Sequence, residues 1–466
     1  MEILSHIIYL ISSVFFILGI KKLGSPKTAR VGNQFAAIGM LLAIVITLFD
    51  HQIISFTYII IGLVLGSAIG ALMATKVQMT GMPQMVGLLN GFGGGASALV
   101  AISEYFKILN EPTMMFEVNT TITIILSILI GSVTLTGSFI AFGKLQGIVT
   151  GAVVKYPLQH PINFILLMAV IAGGAYIVIN PMEINILLVI VGVSLVLGVL
   201  LVLPIGGADM PVAVSLLNSY SGLAASATGF VLGNNVLIIA GALVGASGFI
   251  LTMIMCRGMN RSLMNVLLGG WDSAGSAPAA AGGAKDAPQK PVKSVDAEEA
   301  AMIFDTASSV VIVPGYGMAV AQAQHAIRDL TNALEKKGIK VRFAIHPVAG
   351  RMPGHMNVLL AEANIDYDKL YALEDINDDF SNTDVAFIIG ANDVVNPAAR
   401  HDQSSPIYGM PILNVDYAKT VIMNKRSMNV GYAGISNELF FYDNTMMYFG
   451  DAKDAVSKLV NEIKAL

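Results

Sequence analysis

Residues 309–320 read SVVIVPGYGMAV, and their pattern indicates the fold of the C-terminal part of the chain. Its first half is a short β-branched run, typical of a buried parallel strand. Gly315 and Gly317 follow at once, and a helical pattern, AVAQAQHAIRDLTNALEKKG, then continues to Gly338. A strand, a glycine turn and a helix in this order are the context that a dinucleotide-binding fingerprint requires. The stretch therefore predicts a turn that holds a pyrophosphate at the start of one continuous helix.

The same alternation continues to the end of the chain and predicts the fold class. Asp296, followed by Glu298 and Glu299, is typical of a capped helix start. Five further strand-like segments read KVRFAIHP, DVAFIIG, PILNVD, TVIMN and MMYFG, and the last precedes a closing amphipathic helix. Strands that alternate with helices indicate a doubly wound, Rossmann-like α/β domain with a parallel sheet.

Charges at two strand ends indicate which nicotinamide nucleotide the domain binds. In NAD-binding sheets, an acid about 20 residues after the glycines accepts the ribose 2′-hydroxyl. The strand KVRFAIHP ends without an acid, whereas TVIMN is followed by Lys425, Arg426 and Ser427. Two adjacent cations suit a 2′-phosphate, although such a pair can also be a solvated loop. The missing acid favours NADP(H).

Two glycine-rich loops, HPVAGRMPGH and RSMNVGYAG, also follow predicted strands, at the edge where open sheets bind ligands. Tyr432 could cover a nucleotide there. The isolated His346, His355 and His401 lack metal-ligand spacing, so no metal site is predicted. Cys256 is the single cysteine, which excludes a disulfide framework, and a net charge of −4 argues against a nucleic-acid partner.

Residues 1–262 have the composition of a polytopic membrane domain. In the whole chain 55% of residues are hydrophobic and 12% are charged, against about 25% charged in soluble chains. A membrane-spanning helix needs about 20 apolar residues. Nine predicted transmembrane helices lie near residues 3–20, 33–49, 53–74, 83–103, 119–142, 162–180, 184–203, 210–232 and 236–256.

Loop charges predict the orientation of this helical bundle. Alternate loops on one side carry nearly all the lysines and arginines, and the other side carries only Lys107. Because short cytoplasmic loops are rich in such residues, we expect the N-terminus outside and the cationic loops in the cytoplasm. Residues 263–295 are then a flexible Ala/Pro/Gly linker, and residues 296–466 a cytoplasmic NADP(H)-binding domain. The cationic side is formed by Lys21, Lys22, Lys27, Arg30, Lys76, Lys144, Lys155, Arg257 and Arg261.

Polar residues inside the predicted helices are candidates for function, because they are costly in lipid. Asn90 lies in the middle of the fourth segment. In the eighth, Ser215, Ser219 and Ser226 follow helical spacing and with Asn218 can form one polar stripe, which either joins helices or carries water and protons. Asp209 lies directly before this segment. It is either a functional acid or a carboxylate that is solvated or caps the helix.

Read in order behind nine membrane helices, several long motifs resemble the beta subunit of proton-translocating NAD(P) transhydrogenase of the bacterial split-subunit type. They are IGGADMPVAVSLLNSYSG, GYGMAVAQAQ, HPVAGRMPGHMNVLLAEA, INDDF, GANDVVNPAA, KRSMNVGYAG and FGDAK. The resemblance covers nearly the whole chain. It implies hydride transfer from NADH to NADP+ driven by inward proton flow, with NADP(H) on this chain and NAD(H) on a partner alpha subunit, in a dimeric complex.

The resemblance also assigns roles to residues. Lys425 and Arg426 would hold the 2′-phosphate, and Asp393 is a candidate for protonation coupled to NADP occupancy. The pyrophosphate region would be held by Gly315, Tyr316, Gly317, Ala319 and Val320. The remaining nucleotide-loop residues are Arg351, Gly390, Asn392, Ser427, Gly431 and Tyr432.

One position departs from the pattern, because Asn90 stands where similar family members often have a histidine. An amide does not take up a proton near neutral pH, whereas imidazole does. We therefore expect another subunit to supply the titrating group, with Asn90, Asp209, Ser215 and Asn218 along the path. The alternative function is an NADP-sensing channel or transporter with a regulatory nucleotide domain.

Overall fold

The computed structural model describes residues 2–49, 56–111, 115–268, 292–405, 407–431 and 435–466. It forms two compact units. Met1–Met253 with Leu263–Gly270 make a helical unit, and Ile254–Ser262 with Trp271–Leu466 make a unit built on a sheet.

The described chain contains nine long helices, and they lie where the nine apolar segments were predicted. Eight of the nine have the length and hydropathy of a membrane span. The remaining helix, α8, carries the Ser and Asn residues noted above and is largely buried, which explains its lower hydropathy. The helices are α1 (Glu2–Leu23), α2 (Pro26–Leu48), α3 (Phe56–Lys76), α4 (Met82–Asn110), α5 (Val118–Gln146), α6 (Gln159–Ile179), α7 (Ile184–Val202), α8 (Met210–Leu232) and α9 (Asn235–Gly258).

Helix α5 is the centre of the helical unit, since it packs against α4, α6, α7 and α8. Glycines bring α4 and α5 together: a Cβ on Gly94 would lie 2.7 Å from the Cβ of Thr134. At Gly131 a Cβ would lie 2.5 Å from the Gly94 carbonyl oxygen. Such close approach lets dispersion hold helices together in lipid, where the hydrophobic effect between them is absent.

Buried hydroxyls add hydrogen bonds between these helices. The Ser127 and Thr228 side chains are 2.6 Å apart between α5 and α8, and Ser127 also donates to the carbonyl of Ser97 in α4. Thr136 of α5 donates to the carbonyl of Leu195 in α7 at 2.8 Å. Together these contacts tie α4, α7 and α8 to α5.

The α4–α5 contact generates a stability prediction. Gly131→Val is expected to lower the Tm of the purified chain in detergent, because overpacking at backbone contact costs about 1–3 kcal/mol. Gly66→Val in α3 is the matched control, since among the described residues no atom outside the adjacent turns of α3 lies within 4 Å of its Cβ position. Equal Tm values for the two variants would contradict close packing at Gly131.

The second unit contains a six-stranded parallel sheet of order β3-β2-β1-β4-β5-β6. This is the Rossmann order, in which the chain reverses direction across the sheet between β1 and β4. The predicted doubly wound fold is thereby confirmed. The strands are β1 (Ser309–Pro314), β2 (Lys340–Ile345), β3 (Leu370–Ala372), β4 (Val385–Ile389), β5 (Thr420–Lys425) and β6 (Thr445–Phe449).

Helices cover this sheet, and its central strands are almost entirely buried, as in other parallel sheets. The predicted helix start at Asp296 is confirmed: Asp296 and Glu299 form a reciprocal capping box. The shorter helices of the chain are α10 (Leu263–Leu267), α11 (Ala297–Asp305), α12 (Tyr316–Val320), α13 (Gln324–Lys336), α14 (His355–Glu362), α15 (Leu373–Ile376), α16 (Ala398–His401) and α17 (Ala452–Ala465).

The predicted strand PILNVD is wrong. Residues 411–414 are irregular and Val415–Tyr417 is a short 3-10 helix. Their backbone groups bond to loops instead of a neighbouring strand: the Asn377 amide donates to the Ile412 carbonyl and accepts from the Asn414 N–H. The sixth strand of the sheet is β3 instead. It was not predicted, because three residues are too few to show the hydrophobic pattern of a strand.

The single helix predicted after the glycine turn is also wrong. It is divided into α12 and α13 by a turn in which Gln322 has a φ of +51°. In this turn the Ala323 N–H donates to the carbonyl of Met318 at 3.0 Å. The predicted helix end at Gly338 is confirmed, with a φ of +82° that suits glycine.

Two elements lie inside the range predicted as linker, 263–295. Helix α10 lies at its start, and Val266 within it is 1% exposed. Near its end, Ser294 pairs with Met447 of β6 in a parallel bridge. Residues 269–291 lie outside the described residues, so the division at 262 and 296 stays a prediction.

Candidate functional site

A cleft of about 270 Å³ lies at the carboxyl edge of the sheet. It is formed by the segments that follow β1, β4, β5 and β6, so it spans the point where the strand order reverses. Open α/β sheets bind ligands at this point. Its lining consists of Gly317, Val320, Ala321, Gly390, Ala391, Asn392, Asn424, Lys425, Arg426, Ser427, Asn429, Val430, Gly431, Gly450, Asp451 and Ala452.

Two glycine turns meet at the base of the cleft. The Gly317 N–H donates to the carbonyl of Gly390 at 2.9 Å, and the Gly315 N–H donates to Ile389 at 2.8 Å. A Cβ on Gly317 would lie 2.7 Å from the Gly390 Cα, and Gly390 itself has a φ of +68°. Any side chain at these positions would push the two loops apart, so the base of the cleft is bare backbone.

A third glycine forms one wall. A Cβ on Gly431 would lie 2.5 Å from the Asp393 Oδ1 and would also collide with the Asn392 Nδ2. The loop after β5 therefore lies directly against the loop after β4. This contact places Asp393 beside the cleft, behind Gly431.

Two fully buried asparagines hold these loops in register. The Asn437 side chain donates to the carbonyl of Asn392 at 3.0 Å and accepts from the Leu439 N–H at 2.9 Å. Asn396 donates to the carbonyl of Ser436 at 3.1 Å and accepts from the Ala398 N–H. Both amides use a donor and an acceptor, which is the condition for burying them at low cost.

Lys425 is a partly buried cation in the lining of the cleft. Its Nζ donates to the carbonyl of Asn429 at 2.8 Å and lies 4.5 Å from the centre of the Phe440 ring. Burial lowers the pKa of Lys425 from 10.5 to about 8, although the charge of Asp393 opposes the shift. Arg426 and Ser427 follow and are exposed. Two cations and a hydroxyl at one strand end favour an anionic ligand such as a phosphate.

A second group of predicted residues lies together outside the lining of the cleft. The Arg351 guanidinium lies over the Tyr316 ring, 4.5 Å from its centre. The Tyr316 ring is also 6.0 Å from the ring of His355, whose Nδ1 accepts from the Arg351 N–H at 3.0 Å. Burial, followed by the charge of Arg351, lowers the pKa of His355 to about 4. A neutral imidazole therefore supports the backbone at Arg351.

His346 occupies the end of β2, where an NAD-binding sheet has an acid. It is 2% exposed. Its Nδ1 accepts from the Val348 N–H at 3.2 Å, so its Nε2 carries the proton donated to the Pro411 carbonyl at 2.7 Å. Burial lowers the pKa of His346 to about 4, while that hydrogen bond opposes the shift. The position offers neither a carboxylate nor a cation near neutral pH.

The predicted nucleotide residues thus fall into distinct groups. Eight of them line the cleft: Gly317, Val320, Gly390, Asn392, Lys425, Arg426, Ser427 and Gly431. Gly315 and Asp393 contact lining residues from behind, Ala319 is buried in α12, and Arg351 and Tyr316 form the separate group. Tyr432 lies outside the described residues.

Sequence reasoning missed part of the lining. Gly450 and Asp451 connect β6 to α17, which begins at Ala452, and the strand-to-helix transition at FGDAK is the signal that could have placed all three at this edge. Asn429 and Val430 lie in the predicted loop RSMNVGYAG without having been singled out, whereas Asn424, Ala321 and Ala391 carry no charge or glycine signal of their own. Asn437, whose side chain bonds to the Asn392 carbonyl beside the cleft, lies in no motif of charge or glycine.

In the helical unit, the candidate path residues do not form one cluster. Asn90 donates to the Ser138 hydroxyl at 3.3 Å, and its carbonyl accepts from Ser221. Ser215 donates to the Gly248 carbonyl of α9 at 3.2 Å, as Ser219 and Ser226 donate to other α9 carbonyls. The serine stripe thus joins α8 to α9, while Asn90 faces α5.

Asp209 and Asn218 lie at different depths of α8. Asp209 is the residue before α8 and is 8% exposed, so it is not a solvated carboxylate in this chain. Asn218 is partly buried near Gly248, whose Cβ position lies 3.2 Å from the Asn218 Nδ2. Asn218 therefore lies close to α9, the helix that Ser215 and Ser219 also contact.

A Rossmann sheet with a cationic, glycine-walled cleft, in a chain with eight apolar helices among its described residues, defines a nucleotide-binding membrane protein. A family model described as NAD(P) transhydrogenase beta subunit matches residues 5–462. Two relatives from Rhodospirillum rubrum, both named NAD(P) transhydrogenase subunit beta, are 50% identical over 458 residues, or 97% of each chain. The chain therefore belongs to the NAD(P) transhydrogenase beta subunit family, and it is part of an oxidoreductase complex.

Membership confirms the resemblance seen in the motifs. It implies that the complex binds nicotinamide nucleotides and that this subunit has an alpha partner. The alternative function, an NADP-sensing channel or transporter with a regulatory nucleotide domain, is not supported by this family membership.

The environment of Lys425 generates a prediction. Its amine is expected to titrate near pH 8. Below this pH Lys425 is positively charged and attracts an anionic ligand, and above it Lys425 is neutral. Asp393→Asn is expected to lower the pKa further, because the Asp393 charge raises it. The measurement is NMR of reductively ¹³C-methylated protein, with the signal assigned by its loss in Lys425→Arg. A midpoint near the ordinary lysine value would contradict the burial of this amine.

Proposed function

We propose that this chain binds NADP(H) in the cleft and that a partner alpha subunit binds NAD(H). The observation that carries this assignment is the cation pair Lys425–Arg426 at the end of β5, combined with a neutral, buried His346 where an acid would accept a 2′-hydroxyl. A 2′-phosphate is attracted by the two cations, and the residue after β2, where an NAD-binding sheet has an acid for the 2′-hydroxyl, is a histidine in this chain. The cleft fits the group, since Gly317, Gly390 and Gly431 leave its base and wall without side chains.

The reaction is then the transfer of one hydride from NADH to NADP+, which yields NAD+ and NADPH. The nicotinamides supply this chemistry when bound, so no acid or base of the chain takes part. The chain binds and orients the nucleotide through its glycine turns and cations. Its own Asp393 lies behind Gly431, next to the cleft, and is proposed as the group whose protonation follows NADP(H) occupancy.

Coupling to protons is proposed to act through binding. Hydride exchange between two nicotinamides is nearly isoenergetic, so a proton gradient drives it only if two conformations bind NADP+ and NADPH unequally. We propose inward proton flow through the helical unit, whose N-terminus lies outside a bacterial inner membrane. Residues 296–466 then form a cytoplasmic domain joined by the linker 263–295, and the complex is a dimer.

The proposed path runs past Asn90, Asp209, Ser215 and Asn218. Support comes from the polar contacts of Asn90 with Ser138 and Ser221 and from the burial of Asp209. Ser215 has the weakest support, because its hydroxyl already bonds to an α9 carbonyl. Because Asn90 does not titrate, we propose that the alpha subunit supplies the titrating side chain beside it.

Nucleotide preference tests the cofactor assignment. In calorimetry on the purified chain, NADP+ is expected to bind more tightly than NAD+. The preference should fall at least tenfold in Lys425→Ala/Arg426→Ala, because each charge-assisted hydrogen bond contributes about 1.5–3 kcal/mol. Lys419→Ala is the matched control. Lys419 lies just before β5, at the end of the strand opposite to Lys425, and forms an ion pair with Asp384. Equal affinities for NAD+ and NADP+ in the unchanged chain would overturn the assignment.

A histidine tests the proposed path. In vesicles that contain the assembled complex, Asn90→His is expected to change the pH profile of proton pumping, because it adds a group that titrates near pH 6.5. Thr75→His, in the exposed part of α3, is the control. An unchanged profile in Asn90→His would remove Asn90 from the path.

A further inference from the structure

Lys144 is a buried ammonium in the last turn of α5 and has no part in the function proposed so far. Its side chain is 5% exposed. Its Nζ donates to three backbone carbonyls: Leu203 at 2.6 Å, Ile205 at 2.7 Å and Ala152 at 3.2 Å. A lysine ammonium has three N–H donors, so every donor is used.

The three carbonyls belong to two separate segments. Leu203 is the C-cap of α7, and Ile205 lies two residues further on. Ala152 belongs to the loop that follows α5. A positive charge at the end of α7 is favoured by the negative end of the helix dipole. Lys144, at the end of α5, therefore connects the end of α7 to the loop between α5 and α6.

Backbone hydrogen bonds extend this connection to the start of α8. The Gly207 N–H donates to the carbonyl of Gly151 at 2.8 Å, and the Asp209 N–H donates to Gly206 at 3.0 Å. Asp209 is four residues after Ile205, and it is the N-cap of α8. The position of Asp209 thus depends on a turn that the Lys144 ammonium holds from one side and Gly151 from the other.

Burial of this amine is not needed to place a positive charge at this end of the bundle. Lys155, on the same loop, is exposed. A long lysine side chain at a helix end can reach water at little cost, whereas burying the ammonium is tolerated only when its donors are satisfied. The complete set of carbonyl partners indicates a site built around this side chain.

We propose that Lys144 is a positioning residue for proton coupling: its ammonium clamps the α5–α6 loop to the α7–α8 turn and so sets Asp209 at the start of α8. This inference rests on the proposed function, in which Asp209 belongs to the proton path. Without the clamp, the three carbonyls lose their donor and the turn before Asp209 loses its fixed geometry. Hydride transfer then continues with fewer protons moved per hydride.

The test uses the full complex with its alpha partner in membrane vesicles. Two quantities are measured, the rate of hydride transfer from NADPH to an NAD+ analogue and the proton uptake per hydride. Lys144→Met is expected to lower the proton-to-hydride ratio at least about fivefold, within the usual range of coupling free energies, without changing the affinity for NADP+. Lys155→Met, on the same loop, is the matched control and should keep the ratio.

A double-mutant cycle with Asp209→Asn separates positioning from a general structural role. If Lys144 acts through Asp209, Lys144→Met has little further effect once Asp209 is replaced. Equal effects of Lys144→Met in both backgrounds would overturn the inference while leaving the path through Asp209 intact. Normal pumping by Asp209→Asn alone would overturn the path through Asp209, and the inference with it.

Lys144→Gln covers the case in which the methionine variant does not assemble. Glutamine keeps two N–H donors but loses the charge and reach of lysine. Its proton-to-hydride ratio is expected to lie between those of the unchanged complex and of Asp209→Asn. A full ratio in an assembled Lys144→Gln complex would overturn the inference.

Discussion

Backbone contact between the Gly315–Gly317 turn and Gly390 is the constraint on which the nucleotide cleft depends. It joins the ends of β1 and β4, the two strands between which the order of the sheet reverses. No side chain separates the two turns, so a ligand can approach main-chain groups directly. The loop after β5 contacts the loop after β4 through Gly431. Glycines at three strand ends therefore shape one site.

The charge state of Lys425 depends on its burial more than on the number of charged residues around it. Lys425 is shielded by Phe440 and by its own loop, which lowers the pKa of its amine, while Asp393 raises it. An amine whose pKa is lowered to about 8 changes its charge when burial or a neighbouring charge shifts that pKa by a small amount. The charge that meets a phosphate thus depends on the position of Asp393, which Asn392 and the buried Asn437 hold in turn.

The helical unit shows how polar groups in an apolar bundle divide between structure and function. The serines of α8 donate to carbonyls of α9 and hold the two helices together. Lys144 instead gathers the ends of α5 and α7 with the loop beyond α5. In water such contacts would compete with solvent, whereas in an apolar bundle unsatisfied donors are costly. Each bond therefore fixes the geometry of the segments that it joins.

The strand and helix positions, the fold class and the cations after β5 could be deduced from the residues alone, because periodicity and turn chemistry are local properties. The break at Gln322, the irregular segment at Pro411 and the short β3 could not, since hydrogen bonds to distant loops outweigh local pattern there. Only the folded chain decided that Asn437 supports the cleft and that Lys144 is buried. Both depend on partners far away in sequence, and no local pattern encodes such contacts.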